Sequence, residues 1–468
     1  MHKYISINFA LHPTTMKLHH FLLVCLLFLS ITKKSYTQSV KVYFNQPINS
    51  SVSNGTTAVY LNDTFDDTIA AYINRAMYSI DIAMYNFTTG TNTDNIGQAV
   101  NDAYNRGVQI RWIYNSSSSN SGLTSLNVNI PTLGSPSSSQ YGIMHNKFMV
   151  IDINHPDTSK TIVFSGSCNW TEQQLVNDYN NIVFIQSKTV AQAFLTEFNE
   201  MWGDTGLQPN PGNSKFGSFK TNNTQHIFNV DGKQLEVYFS PSDQTESQLL
   251  NIISSANTNL NFGVYAFTRT GVADSIIASH LRGVYVAGII DNFSSSYSPK
   301  SMLAPYLMNQ LLTFTLTYVY HHKFVLADAC NNNSDPTVGS GSHNWSLSAE
   351  TRNDENFIIF HDADITNQFY QSFYASALLL GLTIPPCNTI AGIENEQFIT
   401  PSIYPNPILT DFKIDGIENY NWLLKNQLGQ SIKSGNQTST SLQDLPSGLY
   451  FIEVKHKNQS YNYRIIKK

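Results

Sequence analysis

His145-Asn146-Lys147-Phe148-Met149-Val150-Ile151-Asp152 is answered further along the chain by His321-His322-Lys323-Phe324-Val325-Leu326-Ala327-Asp328. Each copy is followed by a Gly-Ser-x-Asn-Trp: Gly166-Ser167-Cys168-Asn169-Trp170 and Gly341-Ser342-His343-Asn344-Trp345. A lone His-x-Lys carries no information. Two copies, each with the same aspartate and the same downstream motif, mark a repeat. Its offset, about 176 residues from His145 to His321, is far too long for a solenoid unit and fits a duplicated domain.

The flanks repeat too. Val40-Lys41-Val42-Tyr43-Phe44 parallels Leu235-Glu236-Val237-Tyr238-Phe239, each alternating apolar and polar residues as a strand does. Helical segments follow, Asp66 to Met77 and Glu246 to Ala256, and then strands from Ser79 to Tyr85 and from Leu260 to Tyr265. A second helix in each half runs to Arg106-Gly107-Val108 or Arg282-Gly283-Val284, where glycine ends it. Third strands are expected over Gln109 to Tyr114 and Tyr285 to Asp291. Strands alternating with helices predict α/β domains, each a mixed sheet layered with helices. Before each motif lies an irregular, Ser-rich stretch, residues 115–141 and 292–309, expected to shape access to a site or to be plain surface loop.

In a strand, residues two apart share a face. His145 and Lys147 therefore point together, as do His321 and Lys323, while Phe148, Val150, Phe324 and Leu326 anchor the strands in a core. Two such faces meeting across a pseudo-twofold axis would surround one phosphate. The lysines would supply positive charge, Asn169 and Asn344 amide hydrogens, and Ser167 and Ser342 hydroxyls. Asp152 and Asp328 fall off that face because of their odd spacing; they either buttress the structure or orient a histidine. Glu355, in Asn353-Asp354-Glu355-Asn356, is a candidate to orient a catalytic histidine. The first half has Asn177-Asp178-Tyr179-Asn180, read with Tyr179 opposite Glu355, and Glu172 or Asp178 as a substitute. His322 and His343 lack repeat partners and are expected to be neighbours of the site only. Trp170 and Trp345 are read as packing, and Tyr85, Phe87, Tyr265 and Phe267 either line the pocket or pack the core.

This arrangement resembles the phospholipase D superfamily, whose members join two such halves into one phosphodiester-cleaving site. The resemblance runs roughly from Val40 to Phe360. It implies two duplicated α/β/α sandwich domains. It implies a catalytic set of His145, Lys147, Asp152, His321, Lys323 and Asp328, working through a phosphohistidine without a cofactor. One histidine attacks phosphorus and the other protonates the leaving group; the resemblance favours His145 as nucleophile. There is no His-Glu-x-x-His and no Cys-x-x-Cys, so no required metal is expected.

The chain's ends carry targeting information. Lys17, His19 and His20 precede the apolar run Phe21 to Leu29, which fits a secretory signal peptide better than a membrane span. Cleavage is expected near Thr37 or Gln38, and Met16 is an alternative start. After a linker over Cys387 to Ser402 come Tyr404-Pro405-Asn406-Pro407, Leu445-Pro446-Ser447-Gly448-Leu449-Tyr450 and the basic end Lys467-Lys468. Short strands with turn signals predict a small β-sandwich. These motifs resemble the C-terminal sorting domain of the Bacteroidota type IX secretion system; a carbohydrate-binding or spacer domain is the plain alternative. The expected layout is a leader over 1–38, halves over 39–215 and 216–387, a linker over 388–402 and the sorting domain over 403–468. Secretion or surface attachment follows, with the secretion machinery as one partner.

Composition narrows the substrate. Only 13% of the 468 residues are charged, about half the usual share, and the formal net charge is -6. No polybasic run appears, so the footprint of a nonspecific nucleic-acid binder is missing. A phospholipid substrate is therefore read first, an extracellular nuclease second, and a surface adhesin on a dead scaffold as the reading from another class. Both motifs lie in one chain, so a monomer suffices. Of the cysteines outside the leader, either Cys330 pairs with Cys387 and Cys168 stays buried beside the site, or all three are free thiols.

Overall fold

A computed structural model of the chain describes residues 39–138, 140–292, 299–384, 401–415, 418–427, 429–456 and 459–468. The expected leader with Cys25, most of the expected linker, and Cys387 lie outside the described residues. Among the described residues no helix is long and apolar enough to cross a membrane.

The first half builds one eight-stranded mixed sheet. In chain order its strands are β1 (Val40–Phe44), β2 (Val59–Tyr60), β3 (Ser79–Met84), β4 (Gln109–Tyr114), β5 (Thr132–Gly134), β6 (Lys147–Ile151), β7 (Ile162–Gly166) and β8 (Asn181–Ile185). The spatial order is β2-β1-β8-β7-β6-β3-β4-β5. The second half repeats it with β9 (Ile227–Val230), β10 (Lys233–Ser240), β11 (Asn259–Val264), β12 (Tyr285–Asp291), β13 (Leu311–Phe314), β14 (Lys323–Ala327), β15 (Thr337–Gly341) and β16 (Glu355–His361), ordered β13-β12-β11-β14-β15-β16-β10-β9. The copies part company at one edge: β2 lies parallel to β1, whereas β9 forms an antiparallel pair with β10.

Helices cover both faces of each sheet. On the outer face of the first half lie α1 (Phe65–Ile73) and α2 (Thr91–Asn105). Ile96, Ala99, Val100 and Ala103 of α2 recur at helical spacing and are all buried. Gly107 and Gly283, both at φ 92°, end the helices before β4 and β12, a left-handed conformation in which glycine pays no Cβ penalty. The first helix stops at Ile73, short of the expected Met77, because the N–H groups of Met77, Tyr78 and Ser79 turn to the Asp152 carboxylate instead.

Between the two sheets lie α4 (Lys188–Trp202), after the short α3 (Glu172–Val176), and the long helix Ala363–Leu379. Phe148 and Phe194 from the first half, and Phe239, Phe324, Phe369 and Phe373 from the second, share this core. Burying each such ring contributes on the order of 2 kcal/mol, so the halves form one body. Strands β6 and β14 are buried along their full length, which explains their near-continuous apolar sequence.

The stretches before each motif are more regular than expected. The first holds a short helical turn, Ser121–Ser125, and β5; the second holds a helix, Lys300–Leu307, while residues 293–298 lie outside the described set. At the C-terminus two small antiparallel sheets, one of three strands and one of four, share a core of Ile414, Trp422, Leu424, Ile452, Val454 and Ile465. Cys330 is disulfide-bonded and Cys168 is a buried free thiol, so three free thiols are ruled out; the partner expected for Cys330, Cys387, lies outside the described residues.

Candidate active site

Each His-Lys pair sits where its strand begins. The strands start at the lysines, so His145 and His321 precede them rather than lying within them as expected. The backbone explains this. The His145 N–H donates to the Asp354 carbonyl (2.9 Å), and the Asp354 N–H to the Ile143 carbonyl (3.0 Å), so the chain before Lys147 pairs with the other half. The Tyr179 N–H donates to the Val319 carbonyl (2.8 Å) in the reciprocal place.

The lysines still join their histidines, through the main chain. Lys147 Nζ donates to the His145 carbonyl (2.8 Å) and Lys323 Nζ to the His321 carbonyl (2.7 Å). Each ammonium lies 5.2 Å from a tyrosine ring, Tyr85 or Tyr265, and those rings flank His145 and His321 at 4.8 and 5.0 Å. Tyr85 and Tyr265 therefore border the site. Phe87 and Phe267 instead pack in the core, against Trp170 and Trp345, which are core residues as expected.

The histidines are oriented across the duplication. His145 Nδ1 meets Glu355 Oε2 of the second half at 2.7 Å. His321 Nδ1 meets Asn180 Oδ1 of the first half at 3.0 Å. Asn180, not Tyr179, thus stands opposite Glu355. The next residues agree: the Asn181 and Asn356 N–H groups donate to Ser167 Oγ (3.1 Å) and Ser342 Oγ (3.0 Å) in matching positions. Aligning the halves on Gly-Ser-x-Asn-Trp would have found this register. Neither proposed substitute reaches His321: Glu172 accepts the Asn92 N–H, and Asp178 accepts from Val319 and Gln173.

The remaining candidates divide. Ser167 and Ser342 accept those strand N–H groups, and Ser167 also donates to Asn180 Oδ1 (2.8 Å), so both hydroxyls help to position the segment carrying the histidine partners. Asn169 is buried and Asn344 partly buried, each with a buried Oδ1 that finds no protein partner. Asp152 and Asp328 lie at the far end of the strands from the histidines, where they serve the buttressing role that was one of the two expected. Each adopts a left-handed φ, 56° and 54°, and accepts a run of backbone N–H groups at a strand entry: Met77, Tyr78 and Ser79, or Asn257, Thr258 and Asn259. Asp152→Ala is expected to cost about 2–4 kcal/mol of stability while kcat/KM of the folded protein stays within about threefold, checked by urea unfolding beside a phosphodiester assay.

Burial sets the electrostatics. His145 and His321 are 6% and 5% exposed, and both lysines are fully buried. Desolvation holds His145 well below its ordinary value despite Glu355, and drives His321 well below too, with Lys323, Lys147 and His145 adding to the effect. Desolvation lowers Lys147 to about 7, against the pull of Glu355, and Lys323 also falls well below its usual value. Glu355 stays ionised because His145 and Lys147 outweigh its burial. These mutual influences place both His-Lys pairs around one locus. The locus gathers two lysines, two histidines and the single carboxylate of Glu355, so its basic groups outnumber its acidic one.

A residue missed in the sequence supports this locus. Lys220, in the segment joining the halves, is buried and contacts Glu197, Asp354 Oδ1 (3.2 Å) and the Ser240 carbonyl (2.9 Å). Glu197 also receives Asn146 Nδ2 (3.2 Å), beside His145, and Asp354 adjoins Glu355. His322 accepts from Asn181 Nδ2 (3.0 Å) and His343 lies 3.6 Å from Glu350; both are neighbours of the site, as expected. Among the described residues no three His, Cys, Asp or Glu side chains gather as a metal-ligand set.

Residues 69–202 and 249–376 match the family described as cardiolipin synthase, phospholipase D-like domain, and residues 402–468 match a secretion system C-terminal sorting domain. Among individual proteins, the mitochondrial cardiolipin hydrolase of Drosophila melanogaster is 32% identical over 153 residues, covering 29% of this chain and 57% of that protein. The protein of the same name from Danio rerio is 30% identical over 129 residues, covering 27% and 54%. The chain thus spans little more than half the length of these relatives. The crystal structure of phosphatidylserine synthase from Haemophilus influenzae Rd KW20 shares the fold, with a TM-score of 0.50 and 12% identity over 67% of this chain and 84% of that one.

Proposed function

This chain belongs to the phospholipase D-like family, and on that premise we propose that it is an exported phosphodiesterase acting on phospholipids. One observation carries the reading: each buried His-Lys pair is completed by a side chain from the opposite half, Glu355 for His145 and Asn180 for His321.

The chemistry follows from the groups present. A phosphodiester monoanion supplies the negative charge that the locus lacks, and the two lysines draw electron density from its oxygens. Asn169 and Asn344 are placed in the proposal as further phosphate contacts. With Nδ1–H held by Glu355, His145 offers its Nε2 lone pair to phosphorus. The P–O bond to the leaving group breaks, and His321 Nε2–H protonates the departing oxygen. The substrate's own charge raises the pKa of His321, so the acid is armed on binding. Water then attacks the phosphohistidine, gives its proton to His321, and the P–N bond returns its electron pair to His145. His145 is the nucleophile in this scheme because Glu355 offsets the positive charge its phosphorylated ring acquires.

Three features favour a lipid. The relatives carry the name cardiolipin hydrolase. The chain has net charge -6 and no basic run. Apolar side chains stand exposed beside the site: Leu316 and Tyr318 on the segment entering His321, and Phe219 packed on Tyr141, just before His145. Export rests on the sorting domain together with the leader proposed over residues 1–38.

The test is a parallel assay, in EDTA, against phosphatidylcholine vesicles and single-stranded DNA. Choline release is the expected result; DNA cleavage without choline release would replace the lipid reading with a nuclease. The pH profile is also expected to be bell-shaped. The acid limb lies where His145 takes up a proton, well below its ordinary value, and the alkaline limb begins at about 7, where Lys147 loses its charge. A kcat/KM that climbed steadily to pH 10 would contradict this pairing.

A further inference from the structure

We propose that Asn180, an amide where the other half has a carboxylate, makes hydrolysis of the phosphohistidine the slow step of turnover. The inference rests on the two-histidine reading above. It concerns a positioning residue that acts through His321.

The amide's orientation is pinned. Asn180 Nδ2 donates to the carbonyls of Gln174 (3.1 Å) and Asp178 (3.3 Å), so Oδ1 must face Ser167 Oγ (2.8 Å) and His321 (3.0 Å). Asn45 secures the same segment: its Oδ1 takes the Asn180 N–H (2.9 Å) and its Nδ2 reaches the Asp178 carbonyl (2.7 Å). An oxygen fixed this way accepts only, so His321 Nδ1 carries a hydrogen and Nε2 faces the reacting atoms. Tautomer and direction therefore match His145. The difference is charge. Glu355 can neutralise an imidazolium and a neutral amide cannot.

The other groups around His321 do not make up for it. Lys323 and His322 on its own segment, and Lys147 and His145 from the first half, all oppose a positive charge on its ring. The carboxylates nearby are engaged elsewhere: Asp291 accepts the Tyr320 N–H (2.7 Å) and Asp178 the Val319 N–H (3.0 Å). An imidazole so placed gives up a proton readily and takes one poorly. It serves the first step, in which a proton passes to the leaving oxygen. It serves the second badly, because there it must accept a proton from water. Meanwhile Glu355 stabilises the phosphorylated His145 ring. Both effects make the intermediate accumulate.

Rapid-mixing assays with bis(p-nitrophenyl) phosphate test this, because nitrophenolate leaves without needing a proton. Wild type should release one equivalent in a burst and then turn over slowly. Asn180→Asp should raise the slow rate by about threefold to tenfold, shrink the burst and move the acid limb of the slow phase upward, because His321 must be neutral to take the proton from water. Aspartate would set an oxygen against two carbonyls, so Glu355→Gln serves as a second variant; it should slow the burst by about tenfold. Turnover by wild type without a burst, or a folded Asn180→Asp with an unchanged slow rate and pH profile, would overturn the proposal. If Asn180→Asp fails to fold, an unslowed burst in Glu355→Gln overturns it. If wild type gives neither turnover nor a phosphohistidine, the two-histidine reading itself fails.

Discussion

His321→Ala is expected to lower phosphodiester turnover by at least about a thousandfold while leaving the fold in place. The ring supplies the proton that the leaving group needs and is the base for the water that follows. Its removal opens little structural debt, because Asn180 keeps Ser167 and the Gln174 and Asp178 carbonyls as partners. His145→Ala should be equally inactive but less stable. It strips Glu355, fully buried, of its 2.7 Å contact. Steady-state rates and thermal unfolding of the two variants separate these effects. Wild-type rates in both would mean that the histidines do no chemistry and would sink the two-histidine mechanism.

Lys220→Met is expected to cost about 3–5 kcal/mol of stability, the largest loss for any single change considered. Lys220 is buried with two carboxylates, Glu197 from α4 and Asp354 from the second half, and its ammonium also holds the Ser240 carbonyl. Methionine fills similar space and supplies no charge, so two buried acids would face each other uncompensated. Both acids already have raised pKa values from burial, Glu197 to about 7, and removing the cation would raise them further. The destabilisation should therefore be greatest above pH 7, where protonation cannot relieve the repulsion, and smaller on acidification. Urea unfolding at pH 6 and pH 8 measures this; a loss below about 1 kcal/mol at both would show that the linker lysine is not a clamp between the halves.

The duplication was legible because chemistry and punctuation repeat together. Strands β4 and β12 start where expected, since Gly107 and Gly283 mark the turns before them. Lys147 and Lys323 stand beside their histidines, but each reaches its histidine through a carbonyl rather than along a strand face. What stayed hidden has one physical origin: the site is assembled between halves. Glu355 was recognisable as an orienting acid, but its histidine lies 210 residues away in the chain. Asn180 was concealed by reading the halves in register on Asn-Asp-x-Asn. The Gly-Ser-x-Asn-Trp motif gives the spacing that the structure follows. Lys220 offered no signal, because a single lysine in a connecting segment becomes a buried cation only once both halves have closed on it. Asp152 and Asp328 show why a motif residue can recur without facing the site: each caps a strand entry, as their odd spacing from the lysines suggested.

The most direct measurement is to map the covalent intermediate. His321→Ala protein, mixed with bis(p-nitrophenyl) phosphate and quenched in alkali, should carry a phosphoryl adduct on His145, since attack needs no acid with that leaving group and release needs the missing base. Peptide mass spectrometry locates it. An adduct on His145, absent from the His145→Ala variant, is the predicted result; an adduct on another residue, or none while the wild type turns over, would contradict a two-half site in which His145 attacks and His321 shuttles the proton.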